Sequence, residues 1–373
     1  MIYRNFKDKE LSSLGFGCMR LPVIDGKDAD IDKAAVKEMV AYAMEKGINY
    51  YDTAWGYHSG NSELVMGEAL AEYPRESFYL ATKFPGYDVN NMAKVEEIFE
   101  KQLEKCRVDY FDFYLFHNVN EKNIDGYLSE EFGIMDYLRK QKEAGRIRHL
   151  GFSCHGEYDT MKRFLDAYGS EMEFCQIQLN WMDYDYQDAK LKVELLDSLN
   201  IPVWVMEPLR GGKLAKLPEK YSTQLKEMRP EAGDVEWSFR YLQSFENIPV
   251  ILSGMSDYEQ LKENIAIFEE EKPLTVKETY ALYNIAKELT NTVPCTACRY
   301  CTDHCPMGLD IPEIIRVYNE FLFTGKTYPV INAVNAFGDK GPAACIGCQS
   351  CEAVCPQNIK ISEIMADFAE KMK

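Results

Sequence analysis

The chain has 373 residues, 46% of them hydrophobic and 13% aromatic, and a formal net charge of −18 at pH 7. That length exceeds one ordinary core and predicts a large domain followed by a smaller one. The acidic balance serves solubility and excludes a nucleic-acid partner, which needs a basic surface.

The opening Met1-Ile2-Tyr3-Arg4-Asn5-Phe6-Lys7-Asp8 lacks the apolar core of a signal peptide. No apolar run is long enough for a membrane span, so no membrane partner is expected. The expectation is a cytoplasmic protein with reduced thiols.

Ile2–Leu11 reads as a hairpin placed to plug a barrel floor. Beyond it, short apolar runs alternate with amphipathic helices at the βα period. Candidate strands lie near Leu14–Met19, Ile48–Tyr51, Phe78–Thr82, Phe111–Phe116, His149–Phe152, Phe174–Ile177, Pro202–Met206 and Pro249–Leu252. The first helix starts at Asp30 and Asp32, carries Ala35, Val36, Met39, Val40, Ala43 and Met44 on one stripe, and stops at Gly47. Later helices are expected around Val95–Cys106, Glu131–Ala144, Met161–Tyr168, Asp188–Leu199 and Val235–Phe245. A helix after the eighth strand should end at Lys262-Glu263-Asn264.

Such alternation implies a parallel sheet. Eight units over about 270 residues fit a (β/α)8 TIM barrel better than an open sheet. Periodicity alone does not decide closure. After Asn264 the pattern changes. Ile265–Lys272 reads as an acidic helix end, and Pro273 and Thr275 open a helix from Val276 to Leu289. The expected domains are therefore a barrel over residues 1–272 and a small, mainly helical domain over residues 273–373, which its two runs of four cysteines mark as ferredoxin-like.

That second domain holds Cys295-x-x-Cys298-x-x-Cys301-x-x-x-Cys305-Pro306, then Cys345-x-x-Cys348-x-x-Cys351-x-x-x-Cys355-Pro356. A tight turn aims three thiolates at one iron–sulfur cube, and in two-cluster modules the fourth ligates the other cube. Cys295, Cys298, Cys301 and Cys355 are thus assigned to one [4Fe-4S] cluster. Cys345, Cys348, Cys351 and Cys305 are assigned to a second. Zinc has no use for a third evenly spaced cysteine, and disulfides need an oxidising compartment. Asp310-Ile311-Pro312 reads as a capped helix start, and Ser362-Glu363-Ile364 repeats the theme.

In a barrel of this class, polar residues at the C-terminal strand ends are the functional candidates. Strand two runs into Asp52-Thr53-Ala54-Trp55-Gly56-Tyr57, strand three into Thr82-Lys83, strand four into Phe116-His117. Strand five ends in Gly151-Phe152-Ser153, and strand six carries Gln176. Singly, each has a plainer role: Asp52 a cap, Tyr57 a loop aromatic, Lys83 a snorkelling cation, His117 a core histidine. Together, an acid, a phenol, an ammonium and an imidazole converge on one rim.

Asp52, Tyr57, Lys83 and His117 match, in order and spacing, the catalytic tetrad of the aldo/keto reductase family, which the chain resembles over about residues 1–270. The cysteine module resembles an extension found in one branch. The resemblance implies a (β/α)8 barrel and hydride transfer between NAD(P)H and an aldehyde or ketone, or the reverse oxidation of an alcohol. It implies Tyr57 as general acid, Lys83 lowering the Tyr57 pKa, Asp52 holding Lys83, and His117 positioning the substrate oxygen. It further implies that Ser153 and Gln176 hold the nicotinamide carboxamide, although Cys154 replaces the usual Asn. Met206 stands where an aromatic usually stacks, within Val205-Met206-Glu207-Pro208-Leu209-Arg210-Gly211-Gly212. Leu209, Gly211, Gly212 and Gly254 join the expected nucleotide site, with Glu263 and Asn264 toward the adenine. No cation lies in Gly254–Asp257 for a 2′-phosphate, which leaves Lys262 as substitute and the cofactor as NADP or NAD. Loop aromatics Phe84, Tyr87, Trp181, Tyr184 and Tyr186 are candidates for the substrate pocket. The competing reading is an iron–sulfur electron-transfer protein, with a redox partner protein, on a catalytically weakened barrel.

Overall fold

The computed structural model describes residues 1–290 and 292–373. Its first two strands, β1 (Tyr3–Phe6) and β2 (Lys9–Ser12), pair antiparallel across a two-residue turn, with Phe6 opposite Lys9. Phe6 and Leu11 from this hairpin are buried against Tyr50, Phe113, Phe174 and Trp204. The Phe6 ring meets Trp204 edge-on at 5.0 Å. These partners come from the beginnings of barrel strands, so the hairpin closes the floor, as expected of Ile2–Leu11.

Eight further strands follow: β3 (Leu14–Gly17), β4 (Tyr50–Asp52), β5 (Tyr79–Phe84), β6 (Phe111–Val119), β7 (Ile147–Cys154), β8 (Cys175–Gln178), β9 (Val203–Met206) and β10 (Val250–Gly254). Each pairs with the next in parallel, and β10 returns to β3 with Leu252 opposite Gly15. Closure, which periodicity left open, is thereby decided. These strands are buried on both faces, which is why they read as continuous apolar runs such as Phe111–Phe116.

The helix α1 (Lys33–Glu45) starts where Asp32 accepts the amides of Ala34 and Ala35. It ends before Gly47, whose φ of 90° suits glycine. The next helix, α2 (Ser62–Leu70), was not visible as a periodic pattern. Seven of its nine residues are buried, so it has little polar face to show the period. It packs on α3 (Val95–Cys106), and Gly67 makes that approach possible. A Cβ on Gly67 would sit 2.8 Å from the Cys106 Cα and closer still to the Lys105 carbonyl oxygen. Gly67→Ala is therefore expected to destabilise the fold by about 1–3 kcal/mol, read as a lower midpoint in urea unfolding.

The helix after β10 runs Tyr258–Ile267, capped by Asp257, and not to Asn264 as expected. Ile265 and Ile267 are buried, so the packing that drives it continues past Asn264.

The chain divides into two compact units, Met1–Thr279 and Tyr280–Lys373. The division falls within the helix Val276–Thr290 and not at Pro273. Its first turn belongs to the barrel unit because Glu278 pairs with Arg229 (Nε to Oε1, 2.6 Å) and accepts the Thr275 amide at 2.7 Å. The second unit is helical, with no strand among its described residues. Its helices Ile311–Thr324 and Ile361–Met372 bury Ile311, Ile314, Ile315, Ile361, Met365 and Phe368 together. Asp310 caps the first of them, and Pro312 sits in its first turn. Among the described residues, no helix is long and apolar enough to cross a membrane.

Candidate active site and iron–sulfur sites

Asp52 ends β4, Lys83 lies near the end of β5, and His117 lies in β6 two residues before its end. Parallel pairing of neighbouring strands places all three at one rim. Tyr57 follows Asp52 in a tight turn, Tyr57–Gly60, whose next residue His58 is pinned by accepting the Leu21 amide at 3.0 Å. Lys83 is wholly buried. Its Nζ donates to Asp52 Oδ1 at 2.6 Å and to the Thr53 carbonyl at 2.8 Å. The same Nζ stands 5.0 Å from the centre of the Tyr57 ring. The rings of Tyr57 and His117 meet edge-on at 5.9 Å. The structure therefore brings the four sequence candidates together.

Their electrostatics differ in one respect from expectation. Burial alone would depress the Lys83 ammonium, but Asp52 and Tyr57 more than offset it and the net shift is upward. Burial and the Lys83 charge hold the His117 imidazole well below its usual range, so it is neutral. Its Nδ1 is buried without a hydrogen-bond partner. The Tyr57 phenol was expected to be lowered by Lys83. Instead it is pushed up to about 12, because desolvation outweighs the opposing pull of the ammonium.

Asp52, Tyr57 and His117 line a cavity of about 790 Å³, with Lys83 behind its wall. The remaining wall includes Ser153, Gln176, Met206, Leu209, Gly211, Gly212, Gly254, Glu263 and Asn264. Ser153 Oγ accepts the Asn118 amide at 2.8 Å. The Oε1 of Gln176 is buried without a partner. Asn264 donates to Ser253 Oγ at 3.1 Å. Gly211 and Gly212 have φ of 63° and 89°, so the backbone there turns in a way that favours glycine and presents no side chain.

Two expectations need correction. Lys262 does not line the cavity. It is half-exposed and paired with Glu259 at 2.6 Å. Of the loop aromatics, Tyr87 lines the cavity, with its ring 5.1 Å from His117. The others pack instead: Trp181 donates to Ser238 Oγ at 3.0 Å, and Tyr184 lies against Phe245.

The sequence also passed over Arg20, His155 and Gln260, which line the cavity. Arg20 stands just beyond β3 and reaches Glu207 at 3.7 Å. The strand-end rule would have found it had it been applied to the first barrel strand. The buried pair Arg210–Asp183, at 2.9 Å, holds the loop before Gly211. Twenty-seven positions separate the partners, and no local pattern joins them.

In the second unit, Cys295, Cys298, Cys301 and Cys355 line one hollow, and Cys305, Cys345, Cys348 and Cys351 line another. This is the interleaved pairing expected from the spacing. Left-handed backbone at Ala297, Arg299, Gly347 and Gln349 coils each run around its hollow. Among the described residues, no three His, Cys, Asp or Glu side chains converge as a single-ion site would require. Four thiols line each hollow, the number a [4Fe-4S] cube takes from cysteine.

Comparison with known proteins agrees with this geometry. Residues 13–287 match the Aldo/keto reductase family, and residues 294–359 match a 4Fe-4S dicluster domain. The uncharacterized oxidoreductase YqkF of Bacillus subtilis is 25% identical, over 75% of this chain and 94% of its own length. L-galactose dehydrogenase of Arabidopsis thaliana is 27% identical, over 75% and 93% respectively. A solved aldo-keto reductase from Bacillus halodurans, in its holo form, superposes with a TM-score of 0.62 at 25% identity, covering 77% of this chain and 97% of that one. A closed barrel with these residues at its rim, and a family match over most of its length, make the chain an oxidoreductase that belongs to the aldo/keto reductase family and continues into a 4Fe-4S dicluster domain.

Proposed function

We propose that this oxidoreductase reduces an aldehyde or ketone, or oxidises the corresponding alcohol, with a nicotinamide dinucleotide held along the wall of the barrel cavity. One observation carries the reading: Tyr57 and His117 share a single cavity with all nine positions expected to hold the nucleotide. The residues fit such a ligand. The unpartnered Gln176 Oε1 can accept an amide N–H, and a buried acceptor left alone is costly. The Gly211-Gly212 backbone lets phosphate oxygens approach closely.

When bound, the reduced nicotinamide supplies the hydride. Neutral His117 can donate one N–H to the carbonyl oxygen and fix its position. Tyr57 keeps its proton at neutral pH and gives it up as negative charge gathers on that oxygen. Lys83, held charged by Asp52, stabilises the phenolate left behind. Tyr87 and His155 shape the wall around the reacting group.

The two thiol sets would hold two [4Fe-4S] clusters. Clusters pass single electrons, whereas hydride transfer moves a pair, so they serve the fold or an electron-carrying partner protein and not the hydride step.

The preferred nucleotide is NADH. Around Ser256, Gln260 and Glu263 the wall carries a carboxylate, and the one lining cation among the described residues, Arg20, faces Glu207. A 2′-phosphate beside Glu263 would meet negative charge. One curated relative, an Escherichia coli protein 26% identical over 56% of this chain, is named an NADH-specific methylglyoxal reductase. The expected kcat/KM ratio favours NADH over NADPH by at least about tenfold, or about 1.4 kcal/mol. The test mixes cluster-loaded full-length protein anaerobically with each nucleotide and a panel of aldehydes and ketones, following the nicotinamide absorbance. No turnover in either direction across the panel ends the reading. Faster NADPH oxidation overturns the nucleotide preference alone.

A further inference from the structure

The two thiol sites are built from one repeated motif, so their walls can be compared position by position. Thr296 and Arg299 on the first site stand where Ile346 and Gln349 stand on the second. Gln357 and Met307 are the corresponding residues after the two Cys-Pro steps. Solvent access is matched: Cys298 and Cys348 are both exposed, and Cys301 and Cys351 are both buried, each 7% exposed. The sites therefore differ in charge and polarity while sharing the same depth.

Both differences act in one direction. On the first site Arg299 is part of the wall, and its exposed guanidinium pairs with Asp310 at 3.2 Å. Gln349, the equivalent residue in the wall of the second site, carries no charge. Beside the second site, Glu352 follows Cys351 directly in the chain. Its carboxylate is held by the amide of Ser362, at 2.8 Å, and Ser362 lines that site. Lys360 approaches this carboxylate only to 3.9 Å. The position equivalent to Glu352 is the uncharged Thr302. A cluster that takes up an electron becomes more negative, so a nearby cation and polar donors favour reduction, while apolar walls and a carboxylate oppose it.

We propose that the two sites are unequal electron acceptors. The cluster held by Cys295, Cys298, Cys301 and Cys355 is reduced first, and Arg299 and Glu352 are the residues that set the gap. Each reduction adds one electron, supplied in the test by dithionite, to one cluster and breaks no bond. This inference rests on the assignment of two clusters above.

The experiment is an anaerobic potentiometric titration of the reconstituted full chain, followed by electron paramagnetic resonance, with the iron content measured first. About eight irons per chain are expected from two cubes. A count near half of that overturns the two-cluster assignment and this inference with it. At full iron loading, two one-electron waves are expected. Arg299→Gln, which copies the second site, is expected to lower the upper wave and leave the lower one in place. Glu352→Gln is expected to raise the lower wave, and it tests the idea independently should the Arg299 variant fail to load iron. A single merged wave in the unmodified protein, or a gap unchanged by both substitutions, overturns the proposal.

Discussion

Tyr57→Phe is expected to lower kcat for carbonyl reduction by about 10²–10⁴-fold, the usual span of a lost general acid, while leaving the KM for nucleotide nearly unchanged. The substitution removes one oxygen. It keeps the ring that faces Lys83 at 5.0 Å and meets His117 at 5.9 Å. The cavity wall and the residues expected to hold the nucleotide are untouched, so a loss confined to kcat identifies the proton donor. The unmodified enzyme supplies a companion measurement. With the phenol pushed up to about 12, its protonated form persists far above neutrality. His117, held well below its usual range, stays neutral through the physiological window. Neither group titrates there, so kcat/KM for reduction is expected to be flat from about pH 6 to about pH 10, because that ratio reports the ionisations of the free enzyme. Alcohol oxidation needs the phenolate, so its rate rises with pH over the same window. A Tyr57→Phe enzyme reducing aldehydes at a near-normal rate removes the donor assignment. A reduction profile that falls off near pH 7 contradicts the raised phenol.

Arguments that depend on short spacing succeeded in reading the chain. The helix over Val95–Cys106 coincides with its expected bounds because polar and apolar residues alternate cleanly around it. The thiol pairing was legible because the ligand spacing is itself the geometry. The helix Ser62–Leu70 was not, since burial on nearly all sides leaves no amphipathic period. Tyr57 and Lys83 could be named from strand ends, but not the net result of their contest. A sequence shows the ammonium beside the phenol and does not show that the ammonium is wholly buried or how strongly the phenol is desolvated, and desolvation decided the sign. Lys262 failed for a related reason: a cation near the right stretch was credited with facing inward, whereas Glu259, three positions away, holds it outside. Glu63 illustrates what long-range packing hides. It is buried where Thr82, Gln102 and Lys105 all donate to it, and Gln102 also donates to the Lys83 carbonyl at 3.0 Å. None of these partners is near Glu63 in sequence, yet together they brace the strand that presents Lys83.

Lys83→Met is expected to cost about 3–5 kcal/mol of stability as well as activity, because it leaves Asp52 as an uncompensated buried charge. Lys83 is fully buried and Asp52 only 2% exposed, and Asp52 Oδ2 already lacks a partner. Once the 2.6 Å contact to Nζ is gone, Oδ1 is stranded too. The carboxyl then escapes the penalty by taking up a proton. The pH dependence has a definite sign in the intact pair. The Lys83 pKa is raised in the folded chain, so its contribution to stability is fully present below the unfolded lysine value and fades as pH climbs through the folded one. Removing Lys83 therefore costs stability at neutral pH and makes little difference in strong alkali. The double variant Lys83→Met with Asp52→Asn separates the two roles. Removing both charges takes away the stranded carboxylate, so part of the lost stability returns, while carbonyl reduction stays absent because no ammonium remains to stabilise the Tyr57 phenolate. Urea unfolding of the single and double variants reads the first effect and steady-state kinetics the second. A double variant that regains turnover along with stability would mean that Lys83 serves the fold alone.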